Sequence, residues 1–273
     1  MLMKDRPPFG MMFQKMTVAD VRRMQENATL PAKQEFGSCA VVGNSGTLRL
    51  QRLGAEIDAH DAVFRVNHAP VPTLSEGQAF IPFAGQKTTW RVVTSLWFKE
   101  RKKDPSARLL VLCDRPFIYS CHNYLFETGR IPRAHLVNPR FYAAVRERVG
   151  RSKIPLAGVV TAAVALRSCE TVDVYGLSIM EHPDAPPRSD GGRAKGRAAV
   201  EPAAAGSGAG GARVRPAYGP RVCDYYYRSG ARCPTDSFYH TGRPGDAEFH
   251  DFRAHARALL RWNASGLIRI RVR

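Results

Sequence analysis

Acidic residues are in short supply along this chain of 273 residues: 24 Asp+Glu face 41 Lys+Arg, for a formal net charge of +17. Lysine is scarce too, at 9 against 32 arginines. The positive excess is spread out, with no dense basic block beyond Lys99–Lys103. Such a field suits a nucleic acid and, equally, an anionic sugar nucleotide; a GC-rich genome favouring Arg, Ala, Gly and Pro codons would also produce it. No apolar run approaches the roughly 18 residues of a membrane span; the longest, Ile154–Leu166, has 13. The opening MLMKDRPPFGMMF lacks the apolar core of a signal peptide. Read literally, the chain is expected to be soluble and unaddressed, and a gene model lacking its first exon would read the same way. Six cysteines stand at 39, 113, 121, 169, 223 and 233 with no Cys-x-x-Cys among them. That argues against a zinc site and leaves free core thiols or long-range disulfides. Two Asn-x-Ser/Thr triplets, at Asn27 and Asn263, are too common by chance to establish secretion.

What is present is ordinary for a globular protein: 44% hydrophobic and 24% charged residues, in a length that suits one or two domains with a sizeable core. Residues 1–35 read as a polar, Pro-containing extension with one helix over Thr17–Asn27. From there apolar runs alternate with helical patterns. Ser38–Val42, Ala62–Val66, Thr88–Thr94, Leu109–Cys113, Thr171–Tyr175 and Leu267–Val272 read as strands; Thr47–Gly54 (closing on a glycine cap), Phe141–Val149, Ala157–Ser168 and Phe249–Trp262 read as helices. This alternation predicts an α/β fold with a parallel or mixed sheet. The stretch 183–220 is almost entirely Ala, Gly, Pro, Arg and Ser, too poor in large apolar residues to offset its ordering entropy. It is expected to be a disordered loop within the domain.

The richest segment is Cys39–Val71, CAVVGNSGTLRLQRLGAEIDAHDAVFRVNHAPV. A buried strand leads into Gly43-Asn44-Ser45-Gly46, where glycines permit close backbone approach and the following helix offers unpaired N–H groups to an anion. GNSG alone signals little. It is not the Gly-x-Gly-x-x-Gly of dinucleotide-binding proteins, and a plain strand–turn–helix link would look the same. The whole stretch nevertheless resembles the large sialylmotif of the eukaryotic sialyltransferases, glycosyltransferase family 29. The matching residues are CAVVGNSG, Gly54, Ile57-Asp58, His60-Asp61 and Arg65-x-Asn67-x-Ala69-Pro70; Gly85-x-Lys87-Thr88-Thr89 is similar to the motif's distal end. In that family the motif binds the CMP half of CMP-sialic acid, which implies Asn44, Ser45 and Asn67 as donor ligands.

Three further segments extend the resemblance. Pro155–Ser178 is similar to the small sialylmotif: Pro-x-x-Gly, an apolar helix, Cys169, then Val-Asp-x-Tyr-Gly. It implies donor contacts at Gly158 and Gly176 and a disulfide from Cys39 to Cys169. The sequence departs from the family at Leu156 and Ala157, where hydroxyl residues usually help hold the sialic acid carboxylate. Val222–Cys233 resembles the short third motif, with Tyr225 in a position where many members carry His. A Tyr phenol can still donate to a phosphate, although an aromatic core strand would read alike. The resemblance implies a Cys223–Cys233 disulfide and leaves Cys113 with Cys121 by elimination. Phe249–Ile270 aligns with the family's very short motif, His-x4-Glu before an aliphatic helix. His250 takes the catalytic position, with His240 as the rival base. The Glu is replaced by His255, which reads as a supporting residue or as a surface histidine.

All four motifs occur in the family's order, over 36–273 apart from 183–220. The resemblance implies a single-domain α/β fold, GT-A-like and Rossmann-like, with a central mostly parallel sheet flanked by helices. It implies an inverting transferase that moves sialic acid, or a related keto-sugar acid, from its CMP ester to a glycoprotein or glycolipid hydroxyl with His as general base. No metal or cofactor is implied beyond the CMP-sugar donor, and none of the 13 aspartates forms an Asp-x-Asp pair. The family works in the Golgi lumen on an N-terminal anchor, which would be this chain's one membrane contact and is not visible in it. Two alternatives stand beside this reading: a catalytically weak or inactive homologue that retains CMP binding, and a basic nucleic-acid-binding α/β protein, for which the ordered motifs have no use.

Overall fold

Short runs of aliphatic residues build a sheet in which every pairing among the described residues is parallel. The computed structural model describes residues 28–67, 78–94, 107–112, 134–149, 154–177 and 251–271. Eight strands, β1 (Ala28–Thr29), β2 (Phe36–Val42), β3 (Ala62–Val66), β4 (Trp90–Thr94), β5 (Arg108–Leu112), β6 (Ala134–Val137), β7 (Cys169–Tyr175) and β8 (Arg269–Ile270), lie in the order β1-β6-β5-β4-β3-β2-β7-β8. Cys39–Val42, Ala62–Val66 and Leu109–Leu112 are buried at every position, as strands covered on both faces must be.

The two faces are covered differently. One carries α3 (Pro139–Val149), α4 (Ala157–Ser168) and α5 (Phe252–Ala264). Helix α4 is apolar on nearly all sides because it lies between the sheet (against β2, β3, β4 and β7) and its neighbour α3, which in turn packs on α5. The other face carries a 3-10 turn (Gly46–Leu50) and two short helices, α1 (Gly54–Asp58) and α2 (Ile81–Ala84). Ala40, Val42, Val63, Tyr175, Leu48, Ile57 and Ala84 form the apolar cluster beneath them.

Several expectations need correction. The helix expected over Thr47–Gly54 is a 3-10 turn that stops at Leu50, and Gly54 opens α1 instead of capping a helix. Its three leucines do not share one face: Leu48 is buried against the sheet while Leu50 is 44% exposed. Glycine is needed at 54 because a Cβ there would lie 1.9 Å from the Ile81 carbonyl oxygen of α2. Strands β1 and β6, and helices α1 and α2, carry no clear signal in the sequence. They are four or five residues long at most, and β1 extends the sheet to residues before Phe36. The helix expected at Thr17–Asn27, the stretch 183–220, and Cys113, Cys121, Cys223 and Cys233 lie outside the described residues.

The expected link between β2 and β7 is present: Cys39 and Cys169 form a disulfide with their Cα atoms 6.0 Å apart, across 130 residues of sequence. Closing a loop of that length removes much of the entropy of the unfolded chain. We therefore expect reduction, or the Cys39→Ala/Cys169→Ala double variant, to lower stability by about 4 kcal/mol. Urea unfolding of oxidised and reduced protein measures this, and coincident midpoints would contradict it.

Candidate active site at the end of the parallel strands

The strand order reverses direction between β2 and β7, because β3 to β6 extend to one side of β2 while β7 lies on the other. Ligands of open parallel sheets bind at such a switch point, outside the carboxyl ends of the strands. Here the turn after β2 and the turn after β7 are joined directly. Gly43 N–H donates to the Tyr175 carbonyl at 2.8 Å, and Ser45 N–H to the Gly176 carbonyl at 3.0 Å. A Cβ on Gly43 would lie 2.3 Å from that Gly176 oxygen, so the glycine admits a neighbouring strand end rather than a ligand. Gly176 sits at φ +63 with Leu48 against it, and Leu177 lies 2.7 Å from where a Gly158 Cβ would be. The start of α4 thus sits over the same two turns. Among the described residues no side chain caps that helix: its N-cap is Leu156, whose carbonyl accepts from Val159 and Val160 N–H.

The residues expected to hold the donor divide by what they do. Asn44 is half-buried, and its Oδ1 is buried without a hydrogen-bond partner among the described residues. Ser45 caps the 3-10 turn, its Oγ accepting from Thr47 N–H and Oγ1–H, which leaves its own proton to donate. Asn67, at the end of β3, stands at φ +55; its Oδ1 accepts from Thr94 N–H at 3.0 Å and its carbonyl from Arg91 Nη1–H at 2.7 Å. Gly158 and Gly176 meet through Leu177 as described. His255 is fully buried within α5, so the surface placement considered for it is overturned. A helix residue facing Ala258 and Leu259 one turn on belongs to the core face, whatever its polarity. His250, His240 and Tyr225 lie outside the described residues.

Sequence reasoning missed the buried charge that holds this end of the sheet together. Asp173, on β7, is 1% exposed and accepts from His60 Nε2 at 2.9 Å, from Arg269 Nε and Nη2 at 2.7 and 2.8 Å, and from Arg271 Nε and Nη2 at 3.1 and 3.3 Å. The other ring nitrogen of His60 faces the Glu56 and Ile57 carbonyls. Burial is the largest single influence on the Asp173 carboxyl and pushes its pKa up. Hydrogen bonds from His60, Arg271 and Arg269 together outweigh it and hold the carboxyl below the usual range. Tyr175 donates to Glu56 Oε1 at 2.9 Å, and burial, then that bond, push its hydroxyl far above the ordinary value. Asp58 anchors the turn after α2 by accepting from Gln86 and Lys87 N–H, and Asp61 is tied to Ser38, whose backbone N–H keeps the carboxyl low. The available signal was a charge inside an apolar strand run, in AVFRV, WRVVT and CETVDVY: a buried charge needs a partner.

A parallel sheet with a switch point of this kind places the protein in the open α/β class. The comparisons narrow the class. The family model for glycosyltransferase family 29 (sialyltransferase) matches residues 1–116. The pig CMP-N-acetylneuraminate-beta-galactosamide-alpha-2,3-sialyltransferase 1 is 29% identical over 158 residues, covering 51% of this chain and 43% of its own length. Sialyltransferase-like protein 1 of Arabidopsis thaliana is 32% identical over 159 residues, covering 56% and 31%. The chain therefore spans less than half the length of these curated relatives. A crystal structure of a mammalian sialyltransferase has the same fold, with a TM-score of 0.58 at 17% identity over 97% of this chain and 85% of that one. Over the matched residues this chain is similar to glycosyltransferase family 29, as a divergent relative.

The Asp173 cluster has a measurable consequence. Its carboxyl titrates lower in the folded state than in the unfolded one, so its contribution is complete above the unfolded value of about 3.9 and disappears as pH falls through the lower folded value. Asp173→Asn should lower stability at neutral pH by about 3 kcal/mol, the lower end for a broken buried pair because the arginines are half-exposed. It should also flatten the dependence on pH below about 4. Chemical unfolding at a series of pH values tests both, and a variant with native stability would contradict the role assigned to the cluster.

Proposed function

We propose that the chain transfers sialic acid, or a related keto-sugar acid, from its CMP ester to a glycan hydroxyl with inversion, by one direct displacement and without a metal. The observation that carries this is the buried, unpartnered Oδ1 of Asn44 at the switch point. An orphaned acceptor there is satisfied by a ligand's N–H or O–H, such as a cytosine amino group or a ribose hydroxyl. The similarity to that family supports it, and the pig relative carries a CMP-sugar donor and a galactosamide acceptor in its name. In this reading Asn44, Ser45 and Asn67, the backbone at Gly158 and Gly176, and the Tyr225 phenol hold the donor. The α4 N-terminus and the basic field balance its negative charge. His250, or its rival His240, takes the acceptor proton as the hydroxyl oxygen attacks the anomeric carbon and CMP departs with the bonding electrons. His255 supports this end of α5 from within the core. The Golgi lumen is the proposed site of action, and the acceptor would be a glycoprotein or glycolipid glycan.

One observation favours a second reading, a weak or inactive homologue that keeps CMP binding: α4 starts at Leu156 with no side-chain cap, where the family usually offers hydroxyls. A single set of experiments separates the two. Calorimetric titration with CMP should show binding by the native chain, and Asn44→Ala should weaken it about tenfold, the worth of one to two lost hydrogen bonds. Transfer to a mixed glycan panel should then fall about 10²–10⁴-fold in His250→Ala with CMP affinity kept. Loss of transfer in His240→Ala alone would reassign the base. CMP binding without turnover, restored by Ala157→Ser, would establish the second reading, and no CMP binding at all would sink both.

A further inference from the structure

We infer that Arg91 is a positioning residue for the donor, acting by holding Asn67 in its left-handed conformation; the inference rests on the donor site proposed above. Asn67 ends β3 at φ +55, a region that strains most L-residues and that Asn tolerates best. Its polar atoms are committed almost entirely to β4. The backbone N–H donates to the Val92 carbonyl at 2.8 Å, Oδ1 accepts from Thr94 N–H at 3.0 Å, and the carbonyl oxygen accepts from Arg91 Nη1–H at 2.7 Å. Because Thr94 N–H can only donate, it defines which corner of the amide is oxygen. The remaining polar group is the Nδ2 amino group, a donor. The ligand atom it meets is therefore an acceptor, such as a phosphate, carboxylate or nucleobase oxygen. Asn44 is its complement, an orphaned acceptor that takes a ligand donor.

Of the three bonds on Asn67, two use the backbone of β4: one pairs backbone with backbone, and the other meets the Asn67 side chain. The third is a side chain's choice. Arg91 is 3% exposed and stands in register with Arg65 across β3 and β4, on the face that holds Asp173 and Tyr175. Its bond to Asn67 is charge-assisted and short, the stronger kind. It binds the carbonyl of Asn67, one of two described non-glycine residues, with Gln34, that stand in the left-handed region. Without it the peptide after Asn67 can rotate toward the extended region, and the amide turns with it.

The test is a double-mutant cycle read by calorimetry with CMP as the probe. Asn67→Gly keeps the left-handed backbone and removes the amide. Arg91→Met should weaken CMP about tenfold, as loss of a charge-assisted bond does, and Arg91→Lys, which keeps a charged donor, should recover part of that. In the Asn67→Gly background Arg91→Met should change CMP affinity by no more than about twofold; full additivity of the two losses would overturn the inference. A second measurement needs no ligand. In 1H–15N spectra the Asn67 side-chain amide should shift and exchange faster in Arg91→Met, with distant resonances unmoved. An unchanged Asn67 signal overturns the inference. If the native chain binds no CMP, the donor reading falls, and the Asn67 signals still decide whether Arg91 sets this conformer. Should Arg91→Met fail to fold, Arg91→Lys carries the same cycle.

Discussion

The geometry at the strand ends depends on one close approach, that of the backbone turns after β2 and β7. With no side chain at position 43, the Gly176 carbonyl occupies the place a Cβ would take, 2.3 Å from its ideal position. The contact lets Gly43 and Ser45 donate across to Tyr175 and Gly176. It also brings Leu177 over Gly158, which seats the start of α4 above both turns. The orphaned Oδ1 of Asn44 lies in the turn so formed. A larger residue at either glycine would separate the turns and take the helix start with them. The glycines of these motifs therefore act first on the protein itself, and only through that on a ligand.

Two ties hold the same pair of strands from below. The Cys39–Cys169 disulfide joins them at the start of β7, and the carboxyl of Asp173 gathers His60, Arg269 and Arg271 around the middle of it. A buried carboxylate is costly unless surrounded by donors, and here two arginines and the His60 ring meet it. This network also explains how a strand as short as β8 is retained: Arg269 within it and Arg271 just after it reach across to Asp173, Arg271 N–H donates to the Val174 carbonyl, and Asn263 Oδ1 accepts from Ile270 N–H at the other side. The charged face and the apolar face of the sheet thus have separate tasks. The apolar face, under α3, α4 and α5, supplies the core. The charged face orients the turns that present Asn44 and Asn67.

Local patterns in the sequence determined much of the architecture. Continuous aliphatic runs fixed β2, β3, β4 and β5, because strands buried on both faces need no polar alternation. The Val/Ala-rich helix Ala157–Ser168 was legible to the residue, since a helix covered on nearly all sides is apolar around its circumference. The order of the motifs, with their paired cysteines, pointed to the family and to the disulfide. By contrast β1, α1 and α2 are too short for periodicity to show, and the one helix read across Thr47–Gly54 broke in two because α2, distant in sequence, packs within reach of Gly54.

The same division runs through the site. The sequence by itself determined that Asn44, Ser45 and Asn67 stand at strand ends, because each follows an apolar run. Only the tertiary structure decided what their atoms face. Ser45 turned out to cap its own turn, Asn67 to be bound on three sides by β4, and Asn44 to be left with an acceptor unmet. It likewise moved His255 into the core and brought His60 to Asp173 across 113 residues. The physical reason is that hydrogen bonds and ion pairs are satisfied between neighbours in space. Hydrophobic periodicity records which side of an element is covered, but not which polar partner the covering element brings.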